Sequence, residues 1–216
     1  MTMALAILAV VLLYWFPGRR WMARWGTTPD EVARVMPGDA LIANPTHSAM
    51  DAVTVFAAPE DIWPWLAQMG YQRGGLYSYD WLDRLFGILD RPSADRILPE
   101  FQKLAVGDHV PLGPDERNVL TVALAEAPRS LVFFYERGSF QWVWQFGLCA
   151  LDGHRTRLIS RGTQHVPKSA AMWLLMRIME PASFIMTRRM LLGLKQRAEL
   201  LRAQRAARPD CDRQVA

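Results

Sequence analysis

The stretch FQWVWQFGL, residues 140–148, decides the architecture. Phe140, Trp142, Trp144, Phe146 and Leu148 fall on one side of a two-residue period, with Gln141, Val143 and Gln145 on the other. Successive side chains of an extended strand point to opposite faces, so this run is a strand with one broad apolar face. Similar runs flank it: VGDHVPLG from Val106, NVLTVALAEA from Asn118, SLVFFYERG from Ser130 and TRLISRGTQHV from Thr156. Gly, Pro and Asp turns separate them. Strands joined so closely form an antiparallel meander, whose apolar face needs a covering layer.

The cover is helical. DAVTVFA, residues 51–57, reads as one more strand, after which Pro59-Glu60-Asp61 opens a helix with acids at its positive end. Ile62, Trp63, Leu66 and Met69 give that helix an apolar stripe; Pro64 must bend or shorten it, and Gly70 or Gly74-Gly75 ends it. Residues 77–86 and, after Pro92, 93–101 are helical in spacing. Residues 169–179 form an apolar helix, and Glu180-Pro181 marks a break before a last helix over 182–205. On that helix Phe184, Leu191 and Ala198 share a heptad-spaced face with Thr187, Leu194 and Leu201, and the concave face of the meander is its natural partner. The class is α+β: a curved antiparallel sheet around a long C-terminal helix.

Composition removes several functions. The net charge of +4 sits at the ends: residues 177–216 carry nine Arg/Lys against four Asp/Glu, residues 1–34 four against two, and the middle is negative by three. A nucleic-acid binder carries its basic stripe on the folded body, so nucleic acid is not an expected partner. Cys149 lies in a strand and Cys211 in a polar tail, giving neither a disulfide framework nor a thiolate metal site. His47, His109, His154 and His165 never stand three or four residues apart, so no metal or cofactor is expected.

The N-terminus is different. MTMALAILAVVLLYWF holds no charge for sixteen residues and is followed by Pro17-Gly18-Arg19-Arg20. As a helix it measures about 24 Å, short of the roughly 30 Å hydrocarbon core. Charge after the apolar run, with Tyr14, Trp15 and Phe16 where cleavage would fall, argues for a membrane anchor over a cleaved signal. A helix docked on the domain itself is the other reading. Basic residues behind the anchor place the domain on the cytoplasmic face of the cell membrane, held single-pass or peripherally through residues 3–16. The chain then divides into a hydrophobic anchor helix with its basic flank (1–25), a lead-in segment (26–50), the main domain (51–205) and a disordered polar tail (206–216).

The wording of several segments resembles the START-like (SRPBCC) superfamily, which includes polyketide cyclase/dehydrase-like proteins. AVTVFAAPEDIWPWLAQMG (52–70) is similar to that superfamily's first strand and helix. GGLYSYDWLDRLFG, SADRILPEFQKLAVGDHVPLGP and EPASFIMTRRMLLGLKQRAE resemble an uncharacterised bacterial subgroup, and the resemblance covers about residues 45–204. It implies a helix-grip fold with a deep apolar cavity between sheet and C-terminal helix. It also implies that RGGLYSYDWLDRLFG (73–87) lies over the cavity mouth, with Gly74-Gly75 as a hinge.

Candidate residues follow. Tyr77, Tyr79, Trp81, Phe86, Trp142, Trp144, Phe184 and Leu191 are the expected contacts for a lipid or other apolar small molecule, although the aromatic row also suits plain core. Asp80, Tyr77 and Arg161 are the catalytic candidates of an alternative reading, an acid–base enzyme of cyclase or dehydratase type on a polyketide-like substrate. Tyr77, Asp80, Trp81 and Arg84 share one helical face by spacing, so a carboxylate beside phenols becomes a possible general base. Asp80 as a local cap or partner of Arg84 is the plainer account. Glu136 and Arg161 each point inward or to solvent according to strand parity; Arg161 shares its side with Arg157 and His165, which favours solvent. A third reading is an interaction protein with an exposed apolar patch.

Overall fold

The computed structural model describes residues 2–207. In chain order its helices are α1 (Thr2–Leu13), α2 (Arg19–Met22), α3 (Pro29–Ala33), α4 (Pro59–Ala67), α5 (Asp80–Leu85) and α6 (Ala170–Ala207). The strands are β1 (His47–Val55), β2 (His109–Pro111), β3 (Val119–Glu126), β4 (Ser130–Arg137), β5 (Phe140–Asp152) and β6 (Arg155–His165). All six form one antiparallel sheet in the order β1-β6-β5-β4-β3-β2. The meander runs β2 to β6, and β1, whose last residue Val55 lies 100 residues before Arg155, closes on β6.

The inner face of the sheet meets α4 and α6. Phe133, Trp144, Phe146, Leu148 and Leu158 from the strands pack with Ile62, Trp65 and Leu66 of α4 and with Leu191, Leu194 and Ala198 of α6. This is the helix-grip arrangement, and the heptad face read from the sequence is the face that is buried. Gly193 sits in that face because Tyr77 passes over it: a Cβ there would stand 2.3 Å from the Tyr77 carbonyl oxygen.

Three local expectations are corrected. Pro181 does not break the last helix: α6 runs unbroken for 38 residues. A proline leaves the carbonyl four residues earlier without its N–H donor. Here the Tyr14 hydroxyl donates to the Arg177 carbonyl at 3.0 Å and fills that vacancy from another helix. Residues 93–101 form only a single short turn at Pro99–Phe101. Gly74-Gly75 is no open hinge: both glycines are buried, and Gly75 bridges back to Gly70.

The lead-in is not loose either. Residues 29–42 cross the outer face of the sheet, where Met36 packs with Met50, Ala52 and Ile159, and Ile42 with Val132 and Val143. Residues 23 and 25 extend the sheet beyond β1: the Met50 N–H donates to the Ala23 carbonyl and the Ala52 N–H to the Trp25 carbonyl.

Helices α1 and α2 are joined by one wide turn over Tyr14–Gly18, where the Arg19 N–H reaches back five residues to the Tyr14 carbonyl and so absorbs Pro17. This helical rod lies parallel to the start of α6: Trp15 meets Trp173, Arg19 pairs with Glu180, Trp21 packs on Phe184, and Arg188 lies over Trp25. Among the described residues no helix is long and apolar enough to cross a membrane. Of the expected 206–216 tail, residues 208–216 lie outside the described residues.

Candidate functional site

Strand register assembles the site. Asp51 stands opposite Ser160 and Ala49 opposite Gly162 in the β1–β6 pair; across β6, Ser160 faces Phe146 and Gly162 faces Trp144. By alternation these side chains share the inner face with Leu158 and Phe146. Trp142 and Trp144 stack with centroids 5.4 Å apart and planes 20° from parallel. The Trp144 Nε1–H donates to Ser160 Oγ at 3.2 Å, and Trp142 Nε1 ends 3.5 Å from where a Cβ on Gly162 would stand. Both indoles therefore lean across β6 toward β1, and the missing side chain of Gly162 leaves them room.

The inner face is sealed at one end and loose at the other. Leu158, Phe146 and Leu131 are fully buried, whereas Ala49, Gly162, Trp142 and His47 are only half-buried. These residues outline a candidate recess, with a small-residue floor and a double-indole wall, at the less buried end of the inner face. Phe184 is half-buried above this region and Leu191 is fully buried in the adjoining core.

Asp51 lies beside that floor. It is 5% exposed, and its Oδ1 has no hydrogen-bond partner among the described residues. Burial, with no compensating cation nearby, pushes its carboxyl up to about 7. Helix α6 covers it: the charge of Glu180 reaches His47 at one end of β1, and Lys195 Nζ donates to the Thr54 carbonyl at the other. A buried polar group without a partner is rare in a folded protein and calls for a specific reason. The sequence carried a signal for it. In DAVTVFA, Asp51 has the same parity as Val53 and Val55, so an inward-facing strand row begins with a carboxylate.

The residues chosen from the sequence scatter. Tyr77 is 1% exposed, outside any helix at φ 58°, and donates its hydroxyl to the Trp65 carbonyl at 3.0 Å. Burial raises its phenol above the usual range. Its backbone conformation removes it from the helical face it was expected to share with Asp80, Trp81 and Arg84. Asp80 accepts from the Ser93 N–H at 3.1 Å and from Ser93 Oγ at 2.7 Å, a local tie to Ser93 in place of the expected Arg84. Trp81 is 65% exposed on the outside of α5, near exposed Leu85 and Phe86, and Tyr79 is exposed beneath the Arg189 guanidinium. Of the expected contacts, Trp142 and Trp144 line the recess.

Arg161 is neither at solvent nor inside. It is 8% exposed on the outer face, pairs with Asp39 at 2.5 Å and donates to the carbonyls of Val32 and Arg34. Glu136 is exposed and accepts from Gln141 at 2.8 Å. Tyr77 and Asp80 meet at Ser93, whose hydroxyl accepts from the Tyr77 N–H and donates to Asp80, but Arg161 lies on the outer face of the sheet, so no common reacting point joins the catalytic trio.

A concavity of about 480 Å³ opens on the outer side of the sheet, among Met36, Pro37, Pro59, Pro128 and Gly147. None of the expected ligand contacts lines it.

The fold is of the helix-grip type: a curved antiparallel sheet gripping a long C-terminal helix. Solved structures similar to it include a protein of Mesorhizobium loti (15% identity, 71% of this chain and 98% of that one, TM-score 0.41). An aromatase/cyclase from a Streptomyces species is similar over 74% and 97% of the two chains (18% identity, TM-score 0.39). Truncated norcoclaurine synthase from Thalictrum flavum is similar over 69% and 91% (15% identity, TM-score 0.42). At these identities the likeness is one of fold alone. No family model matches the chain, and no curated protein matches it.

Proposed function

We propose that this chain binds an apolar small molecule, a lipid or a flat ring compound, between the inner face of the sheet and α6. The recess floored by Ala49 and Gly162 and walled by the stacked indoles of Trp142 and Trp144 carries this reading. Stacked rings offer a flat apolar surface, and the half-exposure of the floor gives a path to it. Native mass spectrometry of the full chain, purified after mild extraction, should find an apolar adduct. That adduct should be reduced in Trp142→Ala. A bare chain mass, together with no uptake of an added naphthalene probe, would overturn the reading.

The same chain docks on the cytoplasmic face of the cell membrane through α1. Met3, Leu5, Leu8, Leu12 and Leu13 are exposed on a helix without a charged residue, and Arg20 and Arg24 stand exposed at its base. A short apolar helix with a basic flank lies in a bilayer interface without crossing it. Deleting residues 2–12 keeps Tyr14, Arg19 and the pairing of residues 23 and 25 with β1. The truncated protein should stay folded and stop co-sedimenting with vesicles of anionic phospholipid. Unchanged co-sedimentation would remove α1 from the proposal.

A further inference from the structure

We propose that the recess selects an organic cation, an apolar molecule carrying a protonated amine, and that Asp51 is the residue that holds it. This rests on the apolar-ligand reading above and names the polar end of the ligand.

Three observations combine. The first is the isolation of the carboxylate: Asp51 is nine-tenths buried and more, and its Oδ1 accepts from nothing among the described residues. Its cross-strand neighbour Ser160 is engaged by the Trp144 indole N–H. The second is the wall. Two stacked indoles lean over Gly162 toward the strand that carries Asp51, and indole faces attract a cation. The third is contrast with other buried charges. On the outer face Arg161 meets Asp39, and Arg157 meets Glu31. Between α6 and α4 Arg205 meets Asp61. Those charges are matched within the chain; the buried Asp83 has no cation either but accepts from the Ser78 hydroxyl, whereas Asp51 accepts from no group among the described residues.

A buried carboxylate without a cation destabilises the fold when ionised, so its partner has to come from outside if the group has a use. An amine supplies a charge-assisted N–H donor to Oδ1, while its apolar body lies against the indoles. A carboxylate ligand would be repelled there, and an alcohol would bond without the charge.

The test is a series of one ring system with three ends: naphthylmethylamine, naphthylmethanol and naphthoate, titrated calorimetrically into the full chain. The amine should bind about tenfold or more tighter than the alcohol, and the naphthoate weakest. Asp51→Asn keeps the shape and should bring the amine to the alcohol's affinity while leaving the alcohol within about twofold. Asp51→Val, which also removes the polar atoms, should abolish the amine preference in the same way and shows that the loss follows from charge. Equal affinity of amine and alcohol for the native chain overturns the cation proposal and leaves the apolar reading standing. Retained amine preference in both variants overturns the role of Asp51. No binding of any of the three overturns the cation proposal and the apolar-ligand reading together.

Discussion

The two faces of one sheet treat buried charge in opposite ways. On the outer face, the segment over residues 29–42 is fastened by groups that satisfy one another. Arg161 donates to Asp39 and to backbone carbonyls, Arg157 donates to Glu31, and Gln145 joins Asp39 to the Gly38 N–H. On the inner face the buried hydroxyls of Thr156 and Ser160 are hydrogen-bonded, and Asp51 is left with an unpartnered oxygen. A paired buried charge fastens a segment, because removing either partner strands the other. An unpaired one opposes folding when it is ionised, and under the proposal above its use lies in binding.

The first way to break this comparison is at the fastening. Arg161→Met should remove the guanidinium and leave Asp39 and the carbonyls without their donor. About 3–5 kcal/mol of unfolding free energy should be lost. Urea denaturation would measure it, and a loss below about 1 kcal/mol would mean that the outer segment is held by Met36 and Ile42 alone.

The inner face should respond with the opposite sign. Asp51 titrates near its ordinary value of 3.8 when unfolded and at about 7 when folded. The folded chain therefore holds this proton more tightly. Stability is unpenalised below the lower value, declines as the pH rises between the two, and carries the whole penalty above about 7. That penalty is at most about 4 kcal/mol for a shift of this size. Asp51→Asn should thus stabilise the apo protein at a pH of about 8 and leave it unchanged at about 4. Equal effects at both would show that burial of the charge is not what matters.

A smaller effect belongs to the long helix. Tyr14→Phe removes the donor that occupies the Arg177 carbonyl opposite Pro181, and should lower stability by about 1 kcal/mol in a thermal melt. No change would mean that water replaces the hydroxyl. Smallest of all, Trp81→Ala should fall within about 0.5 kcal/mol of the native chain, since the indole lies on the surface of α5. A large loss there would place this indole against a part of the fold.

Much of this was legible in the order of residues. The alternation at 140–148 determined the strand, its apolar face and hence the side that meets the helices, because side-chain direction in a strand is a local property with a period of two. The heptad face of Phe184, Leu191 and Ala198 determined which side of α6 goes down, for the same kind of reason at a different period. Local rules failed where a distant group intervened. Pro181 reads as a break until Tyr14 arrives from 163 residues away to occupy the carbonyl it frees. Arg161 reads as a solvent residue by its neighbours in the strand, because nothing local reveals that residues 29–42 fold over that face and bring Asp39 to it. Tyr77 reads as part of a helix, and only its packing under α6 at Gly193 fixes the left-handed backbone that removes it. The sequence alone determined which residues point together along each element. Tertiary structure decided which charges meet and which stay single, because pairing depends on elements far apart in the chain, and that is what separates Arg161 from Asp51.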